Sequence, residues 1–572
     1  MRVKKAKNGL RVVLCWHMHQ PQYCDLISGE YKLPWTYLHA IKDYVDMAAH
    51  IEAVPGAKAV VNFAPVLLEQ LDDYAAQVSG YLRDHKAIRD PLLAALVAPV
   101  LPTHIQQRAD LVSSCLRVNR QRVIDRFPAY KRLASLADHF CKHCDDIVYV
   151  GDQFLSDLVF WYHLGWIAET VRRDDIRVQR WQEQGNSFSL HDRRELLVLI
   201  GELLSGIIDR YALLADQGQV ELSMTPYAHP IVPLLLDIES ARDAMPDAEL
   251  PELKTYPGGE ERVHWHIREG LNVFKQYFQR KPAGCWPSEG SVSKAALDVF
   301  EQHGFRWAAS GETVLRNSLR KSEGDKAAAA GDAVLKGYRT GGGKLACFFR
   351  DDNLSDKIGF EYSTWHADDA VANFIHHLEE IAEANEGRKL ALPIILDGEN
   401  AWEHFPENGY YFLRTLYKTL AAHPTLKLAT FSECLDEGVE IGSLSDMVSG
   451  SWVYGTFSTW IGDRDKNRGW DMLGDAKCAF DEACASGRLD SDQVVAAELQ
   501  LAICEGSDWF WWFGDYNPAD SVSDFESLFR MHLSNLYQLI GKEAPEYLAH
   551  TFAHGSGQPS LGGVMRQGQA RD

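Results

Sequence analysis

The chain has 572 residues, with 58 basic and 80 acidic side chains and a net charge of −22 at neutral pH. That acidic excess argues against a nucleic-acid partner, which needs clustered Lys and Arg, and no run of eighteen apolar residues is present to cross a membrane. A hydrophobic fraction of 46% is ample for core building, and the length fits three or four domains, or one large barrel with an accessory domain.

The opening segment, Met1 to Lys7, has the charge of a signal n-region. The apolar run behind it, Val12–Trp16, is too short for an h-region, so the sequence is read as cytoplasmic. Short apolar runs ending in polar residues then follow in order: Arg11–Trp16, Ala59–Phe63, Val220–Met224, Phe305–Ala309, Leu345–Phe349, Leu392–Leu396 and Leu426–Thr430. Helical periodicity lies between many of them, as in Leu196–Asp216 and Ala367–Asn385. Alternation of this kind reads as an α/β barrel of seven or eight strands. Residues 90–210 are mostly helical, too long for a connecting loop. Residues 317–343, rich in charge, Ala and Gly, read as a mobile surface loop. Past Gly442 the strand signals fade, and Asp492–Cys504 and Asp524–Leu539 read as amphipathic helices. The tail from Gly555 reads as disordered. The expected organisation is a catalytic barrel over 1–440 with a helical insertion near 90–210, a helical domain over 441–555 closing the cleft, and a free tail over 556–572.

Eleven cysteines, an odd and scattered count, do not form a disulfide framework. Cys141-Lys-His-Cys144 with His139 nearby is half a zinc site without its other half, and reads as thiols on a helix. Sixteen tryptophans fit carbohydrate binding, where flat rings stack on sugar faces.

Five strings carry chemistry. His17-Met-His19-Gln20 ends the first strand, and residues at i and i+2 point the same way. Such a pair serves either a metal or the hydroxyls of a sugar. Glu221 to His229 runs from a strand into a proline-bounded loop. Glu289 sits between Pro-Ser and Gly, with Trp286 three residues before it. Asp397 emerges at the carboxyl end of a buried strand, where barrel residues are catalytic, with Glu399 and Trp402 just beyond. Burial there raises a carboxyl pKa, as a general acid requires. Glu505 to Tyr516 combines Asp508, Trp511 and Asp515 with further aromatics. Two carboxylates, histidines and tryptophans are the parts of a glycoside hydrolase. No phosphate loop, serine elbow or dinucleotide fingerprint competes.

Taken together, and in this order, the strings resemble glycoside hydrolase family 57, the α-glucan-active amylases, amylopullulanases, branching enzymes and glucanotransferases. The resemblance implies an incomplete (β/α)7 barrel with a C-terminal helical domain, and no metal or other cofactor. It implies that Glu289 is the nucleophile and Asp397 the general acid/base. His17, His19, His229, Trp286 and Trp402 would line the subsite of the attacked glucose, and Trp511 with Asp515, or Asp508, would reach in from the helical domain. The same strings, with Phe349 to Gly359 and Gly450 to Trp460, add Gln20, Glu221, Arg350, Asp352, Glu399 and Trp460 as candidate substrate-binding residues.

The sequence is therefore expected to encode a retaining hydrolase of α-1,4 links, with α-1,6 links as a further candidate, closest in its strings to amylopullulanases and α-amylases, acting on maltodextrin, glycogen, starch or pullulan as a monomer or homodimer. The alternatives are a transglycosylase with the same site, a zinc-dependent α-mannosidase-like hydrolase, and a non-catalytic glucan-binding protein.

Overall fold

The computed structural model describes residues 9–557. The charged opening segment and the tail beyond Gly557 lie outside the described residues. Ten strands form one sheet: β1 (Leu10–Met18), β2 (Ala59–Phe63), β3 (Val220–Met224), β4 (Gly284–Cys285), β5 (Trp307–Gly311), β6 (Gly337–Thr340), β7 (Ala346–Arg350), β8 (Ala391–Asp397), β9 (Leu426–Leu428) and β10 (Ile441–Leu444).

A parallel path runs β8-β1-β2-β3-β4-β5-β7. Those seven strands are the staves of a barrel whose closure is incomplete. Between β7 and β8 no ladder forms; the Asp351 N–H reaches the Pro393 carbonyl at 2.9 Å and Arg350 Nε reaches the Ile395 carbonyl at 2.8 Å. β6 pairs antiparallel on β7 and carries β10, while β9 pairs with the first half of β1.

All nine residues of β1 are buried, the run expected of a strand covered on both faces. Alternate residues serve the two sides. Val13 and Cys15 pack inside with Val60, Trp307, Phe348 and Ile395, whereas Val12, Leu14 and Trp16 pack outward under the helices.

Between β2 and β3 the chain forms a series of helices ending in Leu190–Asp216. That last helix opens with a reciprocal cap in which Ser189 and Asp192 bond each other's backbone. After β10 come helices Arg464–Ala485, Ser491–Cys504, Asp508–Trp512 and Ala519–Leu539.

Two expectations need correcting. Residues 317–343 are not one loop, because helix Glu312–Glu323 runs through their first part and β6 through their last. Val314, Leu315 and Leu319 are buried on one helix face, a stripe masked by the surrounding Lys, Ala and Gly. The segment from Gly555 is not free at its start either. Ser556 N–H bonds the Asp515 carbonyl at 2.9 Å and Gly557 N–H the Asn517 carbonyl at 3.0 Å.

Candidate active site

Strand register assembles the site. Asp397 at the end of β8 is level with His17 on β1, His17 with Asn62 on β2, and Asn62 with Ser223 on β3. Four polar side chains therefore stand in one row at the carboxyl ends of four adjacent strands. His17 Nδ1 lies 2.7 Å from Asn62 Oδ1, and Asn62 Nδ2 donates to Ser223 Oγ at 3.1 Å.

His17 also meets His229, with Nε2 to Nε2 at 3.1 Å, and His229 Nδ1 is 2.7 Å from Ser507 Oγ. These contacts assign the tautomers. Asn62 Oδ1 can only accept, so His17 carries its proton on Nδ1 and offers a lone pair at Nε2. His229 must then donate from Nε2 and accept the Ser507 hydroxyl proton at Nδ1. Both rings are neutral, as their burial requires: desolvation pulls His17 down to about 3 and His229 well below the usual histidine range, each helped by a neighbouring imidazole.

His19, two residues beyond His17, stacks on His229 with ring centres 3.8 Å apart, and its Nε2 bonds both Asp508 oxygens at 2.9 and 3.0 Å. Ser507 and Asp508 come from the C-terminal helices. An ion cluster anchors them there: Glu505 takes bonds from Arg262 Nε at 2.9 Å, His266 Nε2 at 2.8 Å and Tyr256 Oη at 2.7 Å. Although burial opposes its ionisation, Arg262 and His266 hold the Glu505 carboxyl down to about 2.

Glu289 adopts a left-handed backbone (φ 56°), as does Gly290 (φ 59°). A Cβ at Gly290 would stand 2.9 Å from the Trp286 ring, so only glycine fits beside the acid. His229 is left-handed too, at φ 62°, and strain of this kind concentrates at functional sites. The Glu289 carboxylate accepts the Trp452 indole N–H at Oε2, 2.9 Å away, and its Oε1 lies 4.0 Å from His229 Nδ1. Asp397 Oδ2 accepts from Asn400 Nδ2 at 2.9 Å. Burial, with Asp397 nearby, pushes Glu289 well above the carboxylate range, and burial raises Asp397 to about 6 against the pull of Asn400, His19 and Arg350.

Glu289 and Asp397 line one cleft with His17, His19, Gln20, Glu399 and Asp508, walled by Tyr23, Trp512 and Phe525. Glu399 is held at Oε1 by Gln20 at 3.1 Å and Tyr44 at 3.2 Å, while its Oε2 has no partner among the described residues. Burial, then Asp397, raises its pKa.

The remaining expected site residues stand elsewhere. Trp286 is fully buried behind the cleft, edge-on to Trp452 at 5.1 Å. Trp402 packs in the core against Trp16, its indole on the Gly398 carbonyl. Glu221 points down the barrel to Trp307 Nε1 and Ser432. Arg350 ties Asp352 and Asp356 beneath the Trp452 ring. Trp460 is buried against Trp511, whereas Trp512 reaches the cleft, and Asp515 is exposed. Trp452, Asn400, Asn62 and Ser507 are the contacts that sequence reasoning missed. The register row could have flagged Asn62, a lone amide inside the apolar strand Ala59–Phe63.

Ligand atoms of His19, His229 and Asp508 lie within 4.8 Å of one another, close enough to invite a metal. The rings of His17, His19 and His229 are, however, within 18° of parallel. The in-plane lone pairs of near-parallel stacked rings do not converge on one point, so the set suits hydrogen bonding better than coordination. The half zinc site forms no sphere: Cys141 and Cys144 are exposed thiols, and His139 pairs with Asp146 at 2.9 Å.

The model of glycosyl hydrolase family 57 matches residues 13–442. The chain belongs to this family. Its fold is that of solved members and relatives at low identity. A branching enzyme of Thermococcus kodakaraensis superposes with a TM-score of 0.57 at 14% identity, covering 93% of this chain and 90% of that one. The α-amylase of Thermotoga maritima gives 0.55 at 14%, covering 95% and 96%. The 4-α-glucanotransferase of Thermococcus litoralis gives 0.51 at 12%, covering 93% and 60%. Among curated proteins no match to the sequence is found. No helix among the described residues of this family 57 chain is long and apolar enough to cross a membrane.

Proposed function

We propose that the protein is a retaining glycoside hydrolase acting on α-1,4 links of α-glucans such as maltodextrin, glycogen, starch or pullulan, with α-1,6 links decided by the pullulan test below. The observation that carries this reading is that Glu289 and Asp397 line one cleft, each with one oxygen held by a nitrogen donor and the other without a hydrogen bond among the described residues. Family membership and the structural likeness to an amylase, a branching enzyme and a glucanotransferase support the substrate class.

Glu289 attacks the anomeric carbon through Oε1 while Trp452 steadies Oε2. Asp397 protonates the leaving oxygen through Oδ1, then takes a proton from the water that releases the sugar. Burial favours the proton on Glu289. Attack needs the Glu289 anion, so Glu289 gives up its proton to solvent before the bond breaks, and the cationic charge that then develops at the anomeric carbon is stabilised by that carboxylate. The neutral chain Ser507–His229–His17–Asn62 pairs its ring nitrogens internally and so fixes the His17 ring in the cleft wall without adding charge, and His19 Nδ1, without a partner among the described residues, is the imidazole nitrogen left for a sugar hydroxyl. Glu399, with one oxygen unpaired, offers a further acceptor for a hydroxyl.

A second reading keeps the chemistry and changes the acceptor to another glucan. It is favoured by the aromatic wall of Tyr23, Trp512 and Phe525, which limits water at the intermediate. Product chain lengths from amylose and, separately, pullulan test both, with Glu289→Gln as the blank. New reducing ends from both substrates support the hydrolase. Redistributed lengths without new reducing ends replace it with the transferase. Unchanged turnover by Glu289→Gln refutes the site.

A further inference from the structure

A second cavity opens beside the loop after β7. Segments Asp352–Asp356, Lys357–Glu361 and Tyr362–Thr364 border an open volume of about 380 Å³ lined by Asn353, Asp356, Lys357, Phe360, Glu361 and Thr364. None of these six lines the cleft of Glu289.

Contacts nevertheless tie it to that cleft. Asp356 is bonded by Arg350, whose guanidinium lies 5.5 Å from the Trp452 ring centre, and Trp452 holds Glu289. The cavity wall thus stands two side chains from the nucleophile. The loop of Trp452 also supplies Tyr454, which is left-handed at φ 56°. Its hydroxyl is out of solvent with no hydrogen-bond partner among the described residues. Burial and the neighbouring Asp356 carboxylate raise that phenol; Tyr454 stands near Asp356 but does not itself line the cavity.

Chemistry narrows the occupant. Phe360 is 52% exposed, and it stands in an open wall with two carboxylates, an amide, a hydroxyl and the Lys357 ammonium. A flat apolar ring ringed by fixed acceptors suits a pyranose, with apolar C–H faces and a rim of hydroxyls. The wall does not suit an anion: its one cation, Lys357, is bonded to Glu361 at 3.0 Å, and Asp356 adds further negative charge.

We infer that this cavity is a neutral-sugar subsite that holds glucosyl units of a bound glucan remote from the bond at Glu289. The inference rests on the α-glucan reading above. It gives long chains an anchor that short ones cannot reach, so chain-length preference is set partly at Phe360.

Calorimetric binding in the Glu289→Gln background tests it, with maltotriose and a long maltooligosaccharide as probes. Phe360→Ala is expected to weaken the long probe at least about fivefold and maltotriose less than about twofold, and Phe360→Trp to restore long-chain binding. Thr364→Ala should act in the same direction as Phe360→Ala. Equal loss for both probes, or no loss for the long one, overturns the subsite alone. If Glu289→Gln binds neither probe, the glucan reading falls and the subsite with it. Phe360 is half in solvent, so its replacement leaves the core intact.

Discussion

Trp452→Phe is the sharpest test of the catalytic geometry. The phenyl ring keeps the edge contact with Trp286 and the face under Arg350; what it removes is the indole N–H that meets Glu289 Oε2 at 2.9 Å. A hydrogen bond to an ionised group contributes about 1.5–3 kcal/mol. If it is fully felt in the transition state, kcat/KM falls about 10- to 150-fold. The same donor favours the Glu289 anion, so its loss raises the pKa of the proposed nucleophile further. The nucleophile must be ionised to act. The acid limb of the pH profile therefore moves to higher pH, and the deficit is larger on the acid side than on the plateau. Initial rates of reducing-end release from a maltooligosaccharide, across pH, would measure both effects, with the thermal midpoint as a control for folding. A kcat/KM within about threefold of the parent at every pH, with an unmoved acid limb, would refute the assignment of Trp452 as the residue that positions the nucleophile.

Three further outcomes follow from the same contacts. Asn400→Ala removes the donor that favours the Asp397 anion; its pKa, about 6 in the parent, rises by about one unit, and the alkaline limb of kcat/KM moves up with it. An alkaline limb that stays put, or shifts down, would mean that another group is the acid. Glu505→Gln leaves the buried Arg262 guanidinium with only the longer contact to the Glu498 carboxylate at 3.3 Å and is expected to destabilise the fold by up to about 3–5 kcal/mol, read as a lower denaturant midpoint. Because the folded pKa of Glu505 is depressed to about 2, its contribution is fully present above the usual glutamate value and is lost as pH falls toward 2; the variant should therefore lose less stability than the parent over that acid interval. Dialysis against a chelator should leave the rate unchanged, and a loss restored by zinc would show that the imidazole cluster coordinates after all.

Much of the barrel was legible because its strands are buried on both faces and so read as unbroken apolar runs. Ala59–Phe63 and Val220–Met224 were expected with the limits they have. β4 is two residues long and β6 begins with glycine, so neither carries enough apolar length to announce itself. The cleft was legible where a polar residue breaks a strand end, as at His17 and Asp397. It was not legible where the partner arrives from far along the chain. Nothing around Trp452 marks it as the neighbour of a glutamate 163 positions earlier, since that contact is set by the antiparallel bridge of Val292 with Gly450. The tryptophan count misled in the other direction. Trp286, Trp402 and Trp460 are buried structural rings, and the wall of the cleft is made by Trp512 and Phe525.

The hydrogen bond from Ser507 to His229 spans 278 positions, and it divides the molecule differently from its family boundary. The matched region ends at residue 442, before Ser507, Asp508 and Trp512. A fragment cut at that boundary would keep both proposed catalytic carboxylates yet lose the hydroxyl that orients His229, the carboxylate that holds His19 and one aromatic wall of the cleft. The stretch matched by the family model is thus shorter than the stretch that builds the proposed site. Any transplant of this site into another barrel has to carry the helical segment 505–512 with it.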